Sequence, residues 1–294
     1  MSLFTGSGVA IITPMQQDGS VNFPVLKELL EFQIENGTDA IIICGTTGEA
    51  STMTDEEQIE TVRFTVETVN KRIPVIAGAG SNDTAHAIEL AKGCEAAGAD
   101  GLLLVTPYYN KTTQKGLIQH YTAIANSVNV PIILYNVPSR TGLNIAPQTC
   151  YELSKVKNIV GIKEASSNFG NITQIAALCG TDFDLYSGND DQNIPIMSLG
   201  GKGIISVLAN VAPKDAHDMA AKFLAGDTKG AAELQLKSIE LINALFCEVN
   251  PIPVKKALNL MGFNVGSCKA PLCEMEEANV ERLKNAMKNY GLIQ

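Results

Sequence analysis

Eight short apolar runs, separated by stretches of helical periodicity, most restrict what this chain can fold into. They begin near Gly8 (GVAIIT), Asp39 (DAIIIC), Ile73 (IPVIAG), Asp100 (DGLLLV), Val130 (VPIILY), Ile159 (IVGIKE), Phe183 (FDLYSG) and Gly203 (GIISV). None shows the polar alternation of a half-buried strand, so each reads as a strand covered on both faces, as parallel strands are. Between them, Phe23 to Asn36, Asp55 to Asn70, Thr84 to Ala97 and Thr113 to Asn126 read as helices ending near Gly, Asn or Pro stop signals. The run Thr54 to Glu57 (TDEE) spells a capping box at the start of the second. Eight successive βα units predict a closed (β/α)8 TIM barrel over residues 1–225, ahead of a doubly wound open sheet. Beyond Gly226 the strand pattern stops. Thr228 to Phe246, Val254 to Met261 and Glu276 to Asn289 read as helices, which predicts a C-terminal helical domain over residues 226–294.

Composition narrows the function. The 294 residues are 45% hydrophobic and 18% charged, enough apolar material for a large core. A net charge of -9 argues against broad nucleic-acid contact and against polybasic membrane attachment, leaving small molecules as the expected partners. The seven cysteines are odd in number and lack C-x-x-C spacing, and the three histidines lie far apart, so neither disulfides nor a metal site is expected. The first basic residue is Lys27 and no apolar run approaches ~18 residues, so a cytoplasmic location is expected. Gly78 and Gly80 lack the third glycine of a dinucleotide fingerprint, and GGKG at Gly200 to Gly203 lacks the hydroxyl residue of a phosphate loop.

In a barrel, chemistry sits at the C-terminal ends of the strands. Lys163, near the end of the sixth run, has Glu164 as its neighbour, and adjacent strand side chains point to opposite faces. Two readings of the lysine stand open. One is an interior ammonium paired with a carboxylate from another strand. The other is a desolvated amine, its pKa drawn toward ~7 to 8, that attacks a carbonyl to form a Schiff base. The segment CGTTGEAS, Cys44 to Ser51, offers hydroxyls and backbone N–H groups for a carboxylate, or else is a tight turn needing glycine at positive φ. In LYNVPSRTG, Leu134 to Gly142, Tyr135 can relay a proton and Arg140 can clamp a carboxylate, with Pro138 stiffening the loop between them. The bland alternatives are core packing for the tyrosine and solvated surface for the arginine. In TPYYNK, Thr106 to Lys111, the paired tyrosines diverge, which reads either as one serving a pocket and the other an interface or as interface packing alone.

Together, GTTGE after the second run, YY after the fourth, YNVPSRTG after the fifth and GIKEAS on the sixth resemble the dihydrodipicolinate synthase family. Its members are pyruvate-dependent class I aldolases, lyases of lysine and diaminopimelate biosynthesis. The resemblance runs from GVAIITP to NPIPVKKALNLMG. It implies that Lys163 forms a Schiff base with pyruvate, with no cofactor. It also implies that Tyr135, Thr46 and Tyr109 relay protons, Tyr109 entering from a neighbouring subunit. Thr46 and Thr47 would hold the pyruvate carboxylate, Arg140 the carboxylate of L-aspartate 4-semialdehyde, and Gly188 and Ile205 would line the pocket. The product would cyclise to a hydroxylated tetrahydrodipicolinate, and the assembly would be a homotetramer, a dimer of dimers.

Relatives acting on N-acetylneuraminate or 2-keto-3-deoxy sugar acids share the lysine and tyrosine, but a bidentate clamp at Arg140 suits an aldehyde that carries a carboxylate. A keto-acid-binding barrel without catalysis would be expected to lack Lys163 or Tyr135. The family's lysine-effector site maps onto Ala50, Ser51, Asp55, Gln58, Asn82, His86 and Tyr108. Here His86 stands where sensitive members carry glutamate, and Gln58 where they carry histidine. A bound ammonium loses a carboxylate partner, so weak or absent lysine inhibition is expected.

Overall fold

Branched side chains crowd the pleated surface favourably, and runs of Ile, Val and Leu can be buried on both faces only inside a layered or closed sheet. The computed structural model, which describes residues 2–294, closes them into one parallel barrel. Its strands are β1 (Gly6–Ala10), β2 (Ala40–Ile43), β3 (Val75–Gly78), β4 (Gly101–Val105), β5 (Ile132–Asn136), β6 (Ile159–Glu164), β7 (Asp184–Ser187) and β8 (Gly203–Ser206). Each pairs with the next, and β8 returns to β1 with Gly8 opposite Ile205. At this seam a Cβ on Gly203 would come within 2.0 Å of the Gly6 carbonyl oxygen, so only glycine lets the last strand reach the first.

Alternation along the strands separates two apolar layers. Ile42, Ile76, Leu103, Ile133, Tyr186 and Ile205 fill the barrel interior. Ile41, Ile43, Val75, Leu102, Leu104, Leu134 and Ile162 face outward against the helices. These are α1 (Phe23–Glu35), α2 (Asp55–Val69), α3 (Thr84–Ala96), α4 (Gln114–Ala125), α5 (Pro138–Thr141), α6 (Pro147–Leu153), α7 (Phe169–Cys179), α8 (Asn193–Met197) and α9 (Pro213–Leu224). The Thr54/Glu57 capping box forms as read, and Asp83 and Thr113 cap α3 and α4 through their side chains. The stop residues Asn36, Asn70 and Asn126 become C-caps rather than helical residues.

After the barrel come α10 (Thr228–Leu245), α11 (Ile252–Leu260) and α12 (Glu277–Tyr290). Leu241, Leu245, Val254, Leu258, Leu283 and Met287 join the same outer apolar layer as the barrel helices. Among the described residues no helix is long and apolar enough to cross a membrane.

Candidate active site

Tyr135 and Lys163 stand opposite one another in the β5–β6 register, and the pleat turns both inward near the C-terminal mouth. Lys163 is 5% exposed, and its Nζ lies 4.3 Å from the centre of the Tyr135 ring. Among the described residues no carboxylate comes within ion-pairing distance of it, so the interior-pair reading does not hold. Burial pushes the ammonium down from 10.5 to about 8; the Asp190 carboxylate opposes the shift and the Arg140 guanidinium adds to it. Burial also raises the Tyr135 phenol, with Arg140 and the Thr46 hydroxyl acting the other way, so the ring stays a proton donor at neutral pH.

Glu164 faces outward, as strand alternation requires. Its carboxylate accepts from Asn136 Nδ2 at 3.2 and 3.0 Å and from the Ser166 N–H at 2.7 Å, locking the ends of β5 and β6 together. Burial raises its pKa against those hydrogen bonds. The paired lysine weighed for Lys163 exists elsewhere in the chain. Lys255, 2% exposed on α11, donates to Glu49 Oε1 at 2.8 Å and to the Ser267 carbonyl at 2.7 Å.

The walls around Lys163 explain two further positions. A Cβ on Gly188 would meet Lys163 Cε at 2.9 Å, Lys163 Cγ at 3.1 Å and the Ala165 Cβ at 2.9 Å, so glycine here leaves room for the lysine stem. Ile205 is 1% exposed on the inner face of β8. Asp190 accepts from the N–H groups of Val207 and Leu208 at 2.9 and 2.8 Å, which holds the turn after β8 in place.

The turn after β2 differs from expectation in one respect. Positive φ falls on Cys44 (+53°) and Glu49 (+58°), not on Gly45 or Gly48. Glu49 tolerates that conformation because both carboxylate oxygens are held, one by Lys255 and the other by the Lys269 N–H at 2.7 Å. The turn is closed by Gly48 and Glu49 donating to the carbonyls of Gly45 and Thr46, while the N–H groups of Thr46 and Thr47 have no partner among the described residues. Thr47 Oγ1 accepts from Asn250 Nδ2 at 2.9 Å. Arg140 Nη2 donates to the Asn250 carbonyl at 3.0 Å. The segment carrying Arg140 is the helical turn α5 rather than a loop, with Pro138 at its start.

Thr46, Val137, Arg140 and Thr141 line a cavity of about 350 Å³, together with Ala50, Ser51, Asp55, Gln58, His86 and Tyr108. Two expected substrate-site residues, Thr46 and Arg140, therefore share a cavity with most of the expected effector residues, whereas Lys163, Tyr135 and Thr47 do not line it. Asn82 stands just outside, donating to the Tyr108 carbonyl at 3.2 Å. His86 Nε2 lies 2.8 Å from Asp55 Oδ1, and its Nδ1 lies 2.9 Å from Ser81 Oγ. Gln58 Nε2 donates to the carbonyls of Ala50 and Met53 at 3.1 and 3.3 Å. Tyr108 and Tyr109 diverge as read. Tyr109, at φ +67°, is 91% exposed and is not brought to Tyr135 or Thr46 within the chain.

Sequence reasoning did not single out Glu49, Lys255, Asp190 or Asn250. Their partners lie 206, 206, 17 and 203 residues away, respectively, and the only local sign at Asn250 was an Asn-Pro turn signal before α11.

Residues 3–290 match the sequence profile of the dihydrodipicolinate synthetase family. A 4-hydroxy-tetrahydrodipicolinate synthase from Lachnoclostridium phytofermentans is 60% identical over 294 residues, covering 100% of both chains. One from Clostridium novyi is 58% identical over 291 residues, covering 99% of this chain and 98% of its own. Among solved structures, dihydrodipicolinate synthase from Acinetobacter baumannii in complex with pyruvate superposes with a TM-score of 0.96 at 47% identity, over 98% of this chain and 99% of that one.

Proposed function

The chain belongs to the dihydrodipicolinate synthetase family, and from that premise we propose that Lys163 is the group through which it condenses pyruvate with L-aspartate 4-semialdehyde. The reaction is a lyase-class step of lysine and diaminopimelate biosynthesis. The observation that carries the assignment is a buried amine without an ion-pair partner, seated over the Tyr135 ring on the inner face of the barrel, its pKa drawn down to about 8 by burial.

In this reading, neutral Lys163 attacks the keto carbon of pyruvate and water leaves, giving an iminium. The iminium withdraws electrons from the adjacent methyl, which loses a proton to become an enamine. The enamine carbon attacks the aldehyde of the second substrate, forming the carbon–carbon bond. The amine of that substrate then adds to the imine carbon, closing the ring and releasing Lys163. Tyr135 and Thr46 move the protons. The substrate's own iminium is the electron sink, so no further cofactor enters.

Thr46 and Thr47 receive the pyruvate carboxylate, aided by the unpartnered N–H groups of the turn, and Arg140 receives that of the semialdehyde. Gly188 and Ile205 complete the walls. Tyr109, almost fully exposed, completes the relay from a second copy, and the working form is a homotetramer in the cytoplasm. Lysine inhibits weakly or not at all, because His86 and Gln58 are already engaged by Asp55, Ser81 and backbone carbonyls.

The test is pyruvate-dependent consumption of aspartate semialdehyde by the purified protein beside Lys163→Ala. Turnover that vanishes in the variant is expected. Undiminished turnover in Lys163→Ala would overturn the assignment, and no turnover in a protein that still traps pyruvate would move the aldehyde to the sugar acids.

A further inference from the structure

Asn250 lies in the turn between α10 and α11, outside the barrel, yet it contacts both carboxylate-binding elements of the site. It is 6% exposed. Its side-chain Nδ2 donates to Thr47 Oγ1 at 2.9 Å, and its main-chain carbonyl accepts from Arg140 Nη2 at 3.0 Å. A threonine hydroxyl has one proton to give and two lone pairs to offer. With one lone pair taken by an amide N–H, the Thr47 proton is left to be donated, and no acceptor for it exists among the described residues. Thr47 is only 3% exposed, so bulk water does not readily supply that acceptor either.

We infer that Asn250 is a positioning residue that turns the Thr47 hydroxyl proton toward the keto-acid carboxylate and holds Arg140 in register with it. The inference rests on the Lys163 reading above. It gives the C-terminal helices a part in the chemistry. Five residues beyond Asn250, Lys255 pins the same segment to Glu49, which belongs to the same turn as Thr47. The helical appendage thus grips that turn at two neighbouring residues. Rotating the Asn250 amide by half a turn would make Thr47 the donor to Oδ1 and withdraw its proton from the substrate. The two orientations therefore give opposite outcomes on substitution.

The experiment measures KM for each substrate, kcat and borohydride trapping of pyruvate in the full-length protein, Asn250→Ala, Thr47→Val and the double variant. One hydrogen bond to a charged group is at stake, so Asn250→Ala is expected to raise the pyruvate KM about tenfold. The semialdehyde KM should change no more than about threefold, because the main-chain carbonyl that holds Arg140 survives the substitution. In the Thr47→Val background the same change should cost less than about twofold, since a residue acting through Thr47 has nothing left to position. An equal cost in both backgrounds, or an unaltered pyruvate KM, overturns the inference.

If Asn250→Ala fails to fold, Asn250→Asp carries the test. A carboxylate there accepts the Thr47 proton instead of donating, so the pyruvate KM should rise about a hundredfold, and a KM at the unsubstituted value overturns the inference. Failure of the unsubstituted protein to trap pyruvate would overturn the Lys163 reading and this inference together. Trapping with a normal pyruvate KM in Asn250→Ala would overturn only the latter.

Discussion

Replacing the proposed nucleophile should make the protein more stable. Lys163 is held inside the barrel without a counter-charge, and its pKa falls from 10.5 to about 8, a difference that corresponds to about 3 kcal/mol. Below pH 8 the amine is charged in both the folded and the unfolded chain, so folding carries the whole cost of burying an ammonium. Between about 8 and 10.5 the folded chain has released the proton and the unfolded chain has not, so the cost shrinks as pH rises. Above 10.5 it is gone.

Lys163→Met keeps a long unbranched stem and removes the charge, so it should add about 1 to 3 kcal/mol near pH 7, the lower figure allowing for the lost contact with the Tyr135 ring. For a chain of this size that is a rise in Tm of roughly 2 to 5 °C. The control is Lys255→Met, which leaves Glu49, 2% exposed, without its counter-charge and should cost about 3 to 5 kcal/mol. Thermal denaturation of both variants at pH 7 and pH 10 is the assay. A Lys163→Met protein less stable than the original at pH 7 would refute the reasoning, because it would mean that the ammonium is paired in the folded state.

Three other outcomes are expected. Gly188→Ala puts a methyl 2.9 Å from Lys163 Cε, well inside ordinary contact, and displacing the reacting nitrogen by even part of an ångström should lower kcat about a hundredfold at a stability cost of about 1 to 3 kcal/mol; kcat within twofold of normal would contradict this. The rate of borohydride trapping with pyruvate should climb with pH as the neutral amine accumulates and level off above about 8, and a midpoint near 10.5 would show that the amine is not desolvated. Titrated lysine should leave activity intact at micromolar concentration, whereas His86→Glu should increase sensitivity; half-inhibition of the unsubstituted enzyme in that range would sink the proposal of weak feedback.

The barrel was legible because its determinants are local. Unalternated runs such as AIII in β2 cannot be half-exposed, and eight of them interleaved with capped helices leave few topologies. Lys163 was legible for the same reason, as a charge at the end of an apolar run whose one charged neighbour, Glu164, strand alternation turns to the opposite face. Whether it was paired could not be read locally, since the partner would be a carboxylate from another strand. Lys255 shows the limit: it sits beside Lys256 in an amphipathic segment with nothing to mark it as buried against a residue 206 positions earlier. Asn250 was hidden in the same way, its meaning residing in Thr47 and Arg140 rather than in the turn around it. Positive φ was expected at the glycines but falls on Cys44 and Glu49; at Glu49 the carboxylate is held by Lys255 and the Lys269 N–H, more than 200 residues away, which turn propensities do not register.

Lys163 is the amine proposed to take up pyruvate. Incubating the protein with pyruvate, reducing with borohydride and sequencing the modified peptide tests it most directly. A single adduct is expected, on the peptide containing Ile159 to Glu164 and absent from Lys163→Ala. An adduct on another lysine, or an unmodified chain, would contradict it.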